Sequence, residues 1–333
     1  LADPLDEVPR EAVVVVDEQD HAASVGRATR RGLDRTLPPA WRGLNTRRCI
    51  PPPISLPWRG RPGVSGALPL LPGARYALGM LTGVMFAMPE EGGALVDELG
   101  SGARAVEHGR RVFHFGRLWG ADVVLVQARI GKVAAATTTT ELITRFEIDR
   151  LLFTGLAGGV APGVNIGDLV VADRLVQHDL DASPIFPPME IPLLGVREIA
   201  TDPDMTRSLL SAGEACVRDA LTRDLSGEDR QRMHVSKPAV HTGLIATGDR
   251  FVSSDAERDA IRARTPEALC VEMEGAAAAQ VAHEYGIPFA IVRVISDSAD
   301  DHAASNFPDS LGRLAAAASH AVLEQFFLAE RSR

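Results

Sequence analysis

The stretch LCVEMEGAAAAQVAHEYGIPFAIVRVISDSADDH, residues 269–302, limits the fold of this chain more than any other. It reads as strand, helix, strand and acidic turn. Ala268–Glu272 is short and apolar up to its first carboxylate. Gly275–Tyr285 is alanine-rich and stops at Gly286, with Pro288 just beyond, which is how helices end. Phe289–Ile295 is an apolar run interrupted by Arg293, the pattern of a strand covered on both faces. Asp297 follows that strand. In open α/β sheets ligands bind beyond the carboxyl ends of strands. One stretch therefore brings Met273 and Glu274 to one strand end and Asp297 to another.

Elsewhere the same alternation continues. Leu78–Ala87 reads as a first strand, Glu90–Leu99 as a helix, and Arg111–Leu118 with Ala121–Ala128 as a hairpin turning at Trp119-Gly120. Lys132–Phe146 is expected to be helical despite four threonines. Arg150–Thr154 is the next strand, with the glycine-rich Gly155–Gly163 read as a loop after it. Strands over Asp168–Ala172 and Val240–Ala246, long helices over Asp202–Leu225 and Pro308–Ala329, and a helix opened by a Ser254–Glu257 capping box complete the pattern. The expectation is α/β: a single domain over residues 77–330 with a central mixed β-sheet flanked by helices on both faces. Residues 1–76 stand apart. Arginine and proline accumulate there (LPPAWRGLNTRRCIPPPISLPWRGRPG), so a disordered extension is expected.

Composition excludes several classes. A net charge of -9 argues against a nucleic-acid binder, which needs clustered cations. Three cysteines without CxxC spacing suit a reducing, cytoplasmic setting. No apolar run approaches the ~20 residues of a membrane span. The segment GLAGG is not GxGxxG, and no P-loop, HExxH or GxSxG occurs, so no cofactor is expected. His178, Asp179 and Asp181 lack a second histidine and make a thin case for a metal.

Four stretches in order, FAMPEE (Phe86–Glu91), TGLAGGVAPGVNIGDLVVAD (Thr154–Asp173), GLIATGDRFV (Gly243–Val252) and VEME with VRVISDSAD, resemble the nucleoside phosphorylase/nucleosidase superfamily. Within it the chain looks most like 5'-methylthioadenosine/S-adenosylhomocysteine nucleosidases, over roughly residues 77–328. The resemblance implies hydrolysis of the N-glycosidic bond of a 5'-substituted adenine nucleoside, with water as co-substrate, by a homodimer. Such a reaction needs an acid toward the base and a base toward the water. By resemblance Asp297 is the acid to purine N7, oriented by Ser296, and Glu91 is the base. Arg293, charged within an apolar strand, must meet a carboxylate or the water site. Glu274 takes the ribose hydroxyls over Met273. Ala157 and Gly158 let backbone approach the ribose, Phe251 and Val252 line the adenine pocket, and Phe307 lies near the 5'-substituent.

Each residue also has a plainer reading. Asp297 could only cap a turn, Glu91 could be ordinary first-turn charge with Glu90 competing for its role, and Phe251 could be core. Leu156 stands where the family often has a small polar residue. Residues 184–192, PIFPPMEIP, read as a loop that by resemblance contacts the partner subunit. Two alternatives to hydrolysis remain: a phosphorylase, although MPEEGG and VAPGVNIGD offer no arginine for phosphate, and a non-catalytic nucleoside-binding protein.

Overall fold

The computed structural model describes residues 80–220, 227–232, 235, 237–301, 303 and 314–331. The extension over residues 1–76, and Phe307, lie outside these. Among the described residues ten strands form one sheet. They are β1 (Leu81–Phe86), β2 (Arg104–His108), β3 (Arg111–Leu118), β4 (Ala121–Gln127), β5 (Arg150–Gly159), β6 (Leu169–Gln177), β7 (Glu198–Ala200), β8 (Val240–Thr247), β9 (Ala268–Glu272) and β10 (Phe289–Asp297). The α-helices of the described residues are α1 (Pro89–Glu98), α2 (Lys132–Thr144), α3 (Pro203–Ala215), α4 (Gly227–Arg232), α5 (Asp255–Arg264), α6 (Gly275–Tyr285) and α7 (Leu314–Arg331).

The strand order is β10-β6-β8-β9-β5-β1-β4-β3-β2, and β10 also pairs with β5. Five strands therefore close on themselves, and β1, β4, β3 and β2 extend from that ring as an open sheet. Pairing is mixed: β5 runs parallel to β1 and β10, while β6 meets β10 antiparallel. Successive side chains of a strand point to opposite faces, and β10 illustrates it. Ala290, Val292 and Val294 join one core with α1, α3 and α7; Phe289, Ile291 and Ile295 join the other with α2 and α6. That two-sided burial explains the apolar run. No described helix is long and apolar enough to cross a membrane.

Several boundaries differ from the sequence expectation, each for a physical reason. The glycine segment is not a loop: β5 continues through Gly159, because Gly155–Gly158 stays paired with residues 293–297 of β10. Strand β6 runs on to Gln177, held by β8 beyond a register shift at Ala172/Arg174. Strand β2 was not expected, since its burial is slight and its sequence, RAVEH, is mostly polar. Helix α3 ends at Ala215 and gives way to a π-helical turn over Cys216–Ala220. Helix α4 lies in the polar stretch before β8. Ser254 does cap α5, but Glu257 returns its side chain to the Ser253 N–H rather than to Ser254, leaving the box incomplete.

Candidate active site

The carboxyl ends of β1, β5, β9 and β10 meet at the middle of the sheet, and their last residues carry the polar groups. Pro89 at the first helical position starts α1 immediately after β1. That early start turns Glu91 inward, where it is 2% exposed, while Glu90 faces solvent. Three backbone N–H groups hold the Glu91 carboxylate: Ala87 (2.6 Å) and Met88 (2.9 Å) donate to Oε2, and Leu156 (3.0 Å) donates to Oε1. Burial pushes its pKa above the usual carboxylate value; nearby Arg293 and those N–H groups pull the other way.

Arg293 is the largest fully buried side chain, 1% exposed. The sequence required a partner for it, and the structure supplies Glu272, which sequence reasoning set aside. Glu272 Oε2 accepts from Arg293 Nη2 and from the N–H groups of Glu274 (3.1 Å) and Gly275 (2.7 Å); Oε1 accepts from Thr247. Glu274 Oε2 is 3.8 Å from the same guanidinium, and the ring of Phe153 lies 4.2 Å below it. Burial works against the charge on Arg293, but Glu272, Glu274 and Glu91 outweigh it and hold its pKa up. Among the described residues Nη1 has no hydrogen-bond partner. It borders Gly155, where an added Cβ would come within 2.5 Å of Nη1 and 2.9 Å of Glu91 Oε1. Glycine at 155 thus keeps open the gap that these two groups face.

Glu274 is buried and receives the Gly131 N–H on Oε1 at 2.8 Å. Burial first, then the charge of Glu272, raises its pKa to about 8. Met273 beside it is half-buried.

Asp297 is the last residue of β10 and 2% exposed. Ser296 Oγ donates to its Oδ2 at 2.7 Å, and the Ala299 N–H donates to Oδ1 at 2.8 Å. The turn-capping bond of the plainer reading is therefore present, together with the seryl contact. Burial raises the Asp297 pKa against both hydrogen bonds. Gly158 is its neighbour on β5; a Cβ there would lie 3.0 Å from Oδ1. Asp297, Gly158, Phe251, Val252, Glu272 and Met273 line one recess. Its volume among the described residues is about 40 Å³. Val252 is buried and Phe251 is 41% exposed. Ala157 is buried in β5, and Ser296 Oγ also reaches its carbonyl at 3.3 Å.

A second group escaped sequence reasoning. Lys132 Nζ lies 2.7 Å from Asp179, Asp249 Oδ1 accepts the Lys132 N–H at 2.9 Å, and Asp179 accepts the Asp249 N–H at 2.8 Å. This ties the turn carrying Gly131 to the turn before Phe251. Asp179 is engaged there, and Asp181 caps the Ser183 N–H at 2.8 Å. Long separations in the chain hid these pairs; only the HD and GD dipeptides before loops hinted at them.

Three buried carboxyl groups with raised pKa, Glu91, Glu274 and Asp297, set around the glycine-rich end of β5 with one buried arginine, define an α/β protein equipped for acid–base chemistry on a small polar molecule. Residues 82–328 match the family described as Phosphorylase superfamily. The 5'-methylthioadenosine/S-adenosylhomocysteine nucleosidase of Anoxybacillus flavithermus is 36% identical over 211 residues, covering 63% of this chain and 82% of that one. The aminodeoxyfutalosine nucleosidase of Helicobacter pylori is 34% identical over 233 residues, 70% of this chain and 92% of that one. Among solved structures, the Colwellia psychrerythraea 5'-methylthioadenosine/S-adenosylhomocysteine nucleosidase in complex with adenine superposes with a TM-score of 0.65 at 32% identity, covering 75% of this chain and 95% of that one. The chain belongs to the Phosphorylase superfamily and, within it, to the 5'-methylthioadenosine/S-adenosylhomocysteine nucleosidase family.

Proposed function

We propose that this protein hydrolyses the N-glycosidic bond of a 5'-substituted adenine nucleoside, releasing adenine and the free ribose derivative. The observation that carries the reading is that Glu91 Oε1 and Arg293 Nη1 both border Gly155, while Asp297 borders Gly158 on the same strand. Asp297 delivers a proton to N7, which turns adenine into a competent leaving group; burial favours the protonated form of its carboxyl group. Glu91 accepts the proton of the attacking water. Oε1 spends one lone pair on Leu156 and keeps another for the water, and Arg293 Nη1 supplies a donor to the same molecule. Glu274 meets the 2'- and 3'-hydroxyls, and Glu272 keeps Arg293 charged and aimed. Phe251 and Val252 take the purine. Hydrolysis is favoured over phosphorolysis because the site's buried cation already faces Glu272, Glu274 and Glu91, an arrangement hostile to phosphate.

The working form in this reading is a homodimer. Ile130, Val133, Ile185 and Leu193 are large, apolar and more than half exposed. The Lys132–Asp179 ion pair brings the segments carrying the first two beside the loop carrying the others. A cytoplasmic setting suits Cys216 and Cys270, both buried and unbridged.

Chromatography of products in phosphate-free buffer tests the reaction. Adenine and reducing sugar are expected at full rate. A strict phosphate requirement with a sugar 1-phosphate as product would make the protein a phosphorylase, and nucleoside binding without turnover would make it a binding protein.

A further inference from the structure

Asp297 follows an irregularity in its own strand. Strand β10 pairs with β5 in step as far as Ile295 and Ala157, but the next pair is Asp297 and Gly158, so Ser296 is an extra residue. Such a bulge re-aims the side chains beside it and interrupts the ladder that would otherwise fix them. Here it lets Ser296 Oγ reach both the Ala157 carbonyl and Asp297 Oδ2. Support comes from the other side of the strand. The Ile295 N–H donates to Asp168 O at 2.9 Å, and Ile295 O accepts from the Gly167 N–H at 2.9 Å. The turn over residues 165–168 therefore clamps the residue that precedes Ser296 and Asp297.

The side chain of Asp168 sets where that clamp sits. It is 1% exposed. Oδ1 accepts from the Ala239 N–H at 2.8 Å; Oδ2 accepts from the Asn165 N–H at 2.9 Å and stands 2.9 Å from His241 Nε2. The Asp168 N–H returns to Asn165 O at 3.0 Å, and the Leu169 N–H donates to Ala239 O at 2.8 Å. The bonds with Asn165 close the turn on itself, and those with Ala239 and His241 tie it to the start of β8. Gly167 has a left-handed φ of 90°, and Val235 packs where an added Cβ would come within 2.7 Å of it. A buried carboxylate is costly unless its oxygens are satisfied, and no step of the proposed reaction uses this one.

We propose that Asp168, together with His241, is a positioning residue for the catalytic acid: by locking the 165–168 turn to β8 it holds the β10 bulge where Asp297 meets Ser296 and Gly158. It acts through the main chain of Gly167 and Asp168 on Ile295. The inference rests on the nucleosidase reading above and adds to it a residue outside the site. Glu91 and Glu274 take their N–H donors from residues 87, 88, 131 and 156, none of which belongs to this turn, so the water and sugar end keeps its geometry when the turn is loosened.

Two leaving groups separate this role from a merely structural one. Adenine must be protonated to leave, whereas p-nitrophenolate leaves without a proton. Misplacing a catalytic group by about 1 Å costs ~10² in rate. Asp168→Asn keeps the shape of the side chain but turns one acceptor into a donor facing other donors. Its kcat for adenine release from 5'-methylthioadenosine should fall at least about tenfold with KM little changed, while hydrolysis of the 5'-methylthioriboside of p-nitrophenol stays within about twofold of the unaltered protein. His241→Ala removes one contact made by a partly exposed side chain and should show the same split at smaller size; it decides the matter alone if Asp168→Asn does not fold. Equal losses on both substrates, or full adenine release by the variants, overturn the positioning role while adenine release by the unaltered protein upholds the nucleosidase reading. No adenine from any adenine nucleoside with the unaltered protein would overturn that reading, and the positioning role with it.

Discussion

The two ends of the candidate site are built differently. At the sugar and water end, Glu91, Glu272, Glu274 and Arg293 are all buried and interlocked, and backbone N–H groups fix the three carboxylates. At the proposed purine end stands one carboxyl group, Asp297, held by a serine and a turn, beside a phenylalanine that is 41% exposed. Charges that must act on a small, fixed target need preorganised dipoles, because reorganising them during the reaction would raise the barrier. A flat aromatic base needs mainly a proton and an apolar face. In the proposed reading the interlocked end acts on the sugar and the water, and the end at Asp297 acts on the leaving group.

Substitutions at the two ends should therefore fail in different ways. The largest effect is expected from Asp297→Asn and Glu91→Gln. Each keeps its shape and loses its proton function, so turnover of an adenine nucleoside should fall by ~10²–10⁴ or more with an unchanged circular dichroism spectrum. Next comes the frame. Glu272→Ala leaves Arg293 buried without its main partner, and loss of one member of a buried pair costs ~3–5 kcal/mol. Chemical denaturation should report that loss, whereas Asp297→Asn should leave the midpoint nearly unaltered. Phe251→Ala should be milder: stacking of a base on an aromatic ring contributes ~1–3 kcal/mol, read as a rise in KM with little change in kcat.

The smallest effect concerns pH. Glu274 has a folded pKa of about 8, above its value in the unfolded chain. The folded state therefore keeps a proton that the unfolded chain has released. Its contribution to stability is fully present below the unfolded pKa of ~4.3 and is lost as pH rises through about 8. Burial raises Asp297 and Glu91 as well, so all three act in the same direction. Melting temperatures of the unliganded protein should fall between pH 5 and pH 9, and the fall should be smaller in Glu274→Gln.

The sequence was most legible where local signals agreed with the final packing. Strand β9 and helix α6 keep the boundaries read from residues 268–285, and Gly286 takes the left-handed turn (φ 68°) that its position announced. Both faces of β10 are buried, as its apolar run required. Legibility failed where partners are remote. Glycines weaken a strand signal, yet GLAGG is strand because β10 pairs with it and because side chains there would strike Arg293 and Asp297. Glu272 looked like one more acid, since its partner lies 21 residues on and in another strand. Arg129 and Arg110 are separated by a full strand pair and meet only in the fold. Glu91 is buried and Glu90 exposed, a difference that two adjacent acids do not reveal in sequence.

The division of labour between the two ends has one direct test. A 5'-methylthioriboside carrying p-nitrophenolate in place of adenine needs no proton on its leaving group but still needs an activated water. Asp297→Asn should hydrolyse it at nearly the rate of the unaltered protein, while Glu91→Gln should remain slower by ~10² or more. Equal loss in both variants, or adenine release by Asp297→Asn at more than about a tenth of the full rate, would contradict the assignment of Asp297 as the acid.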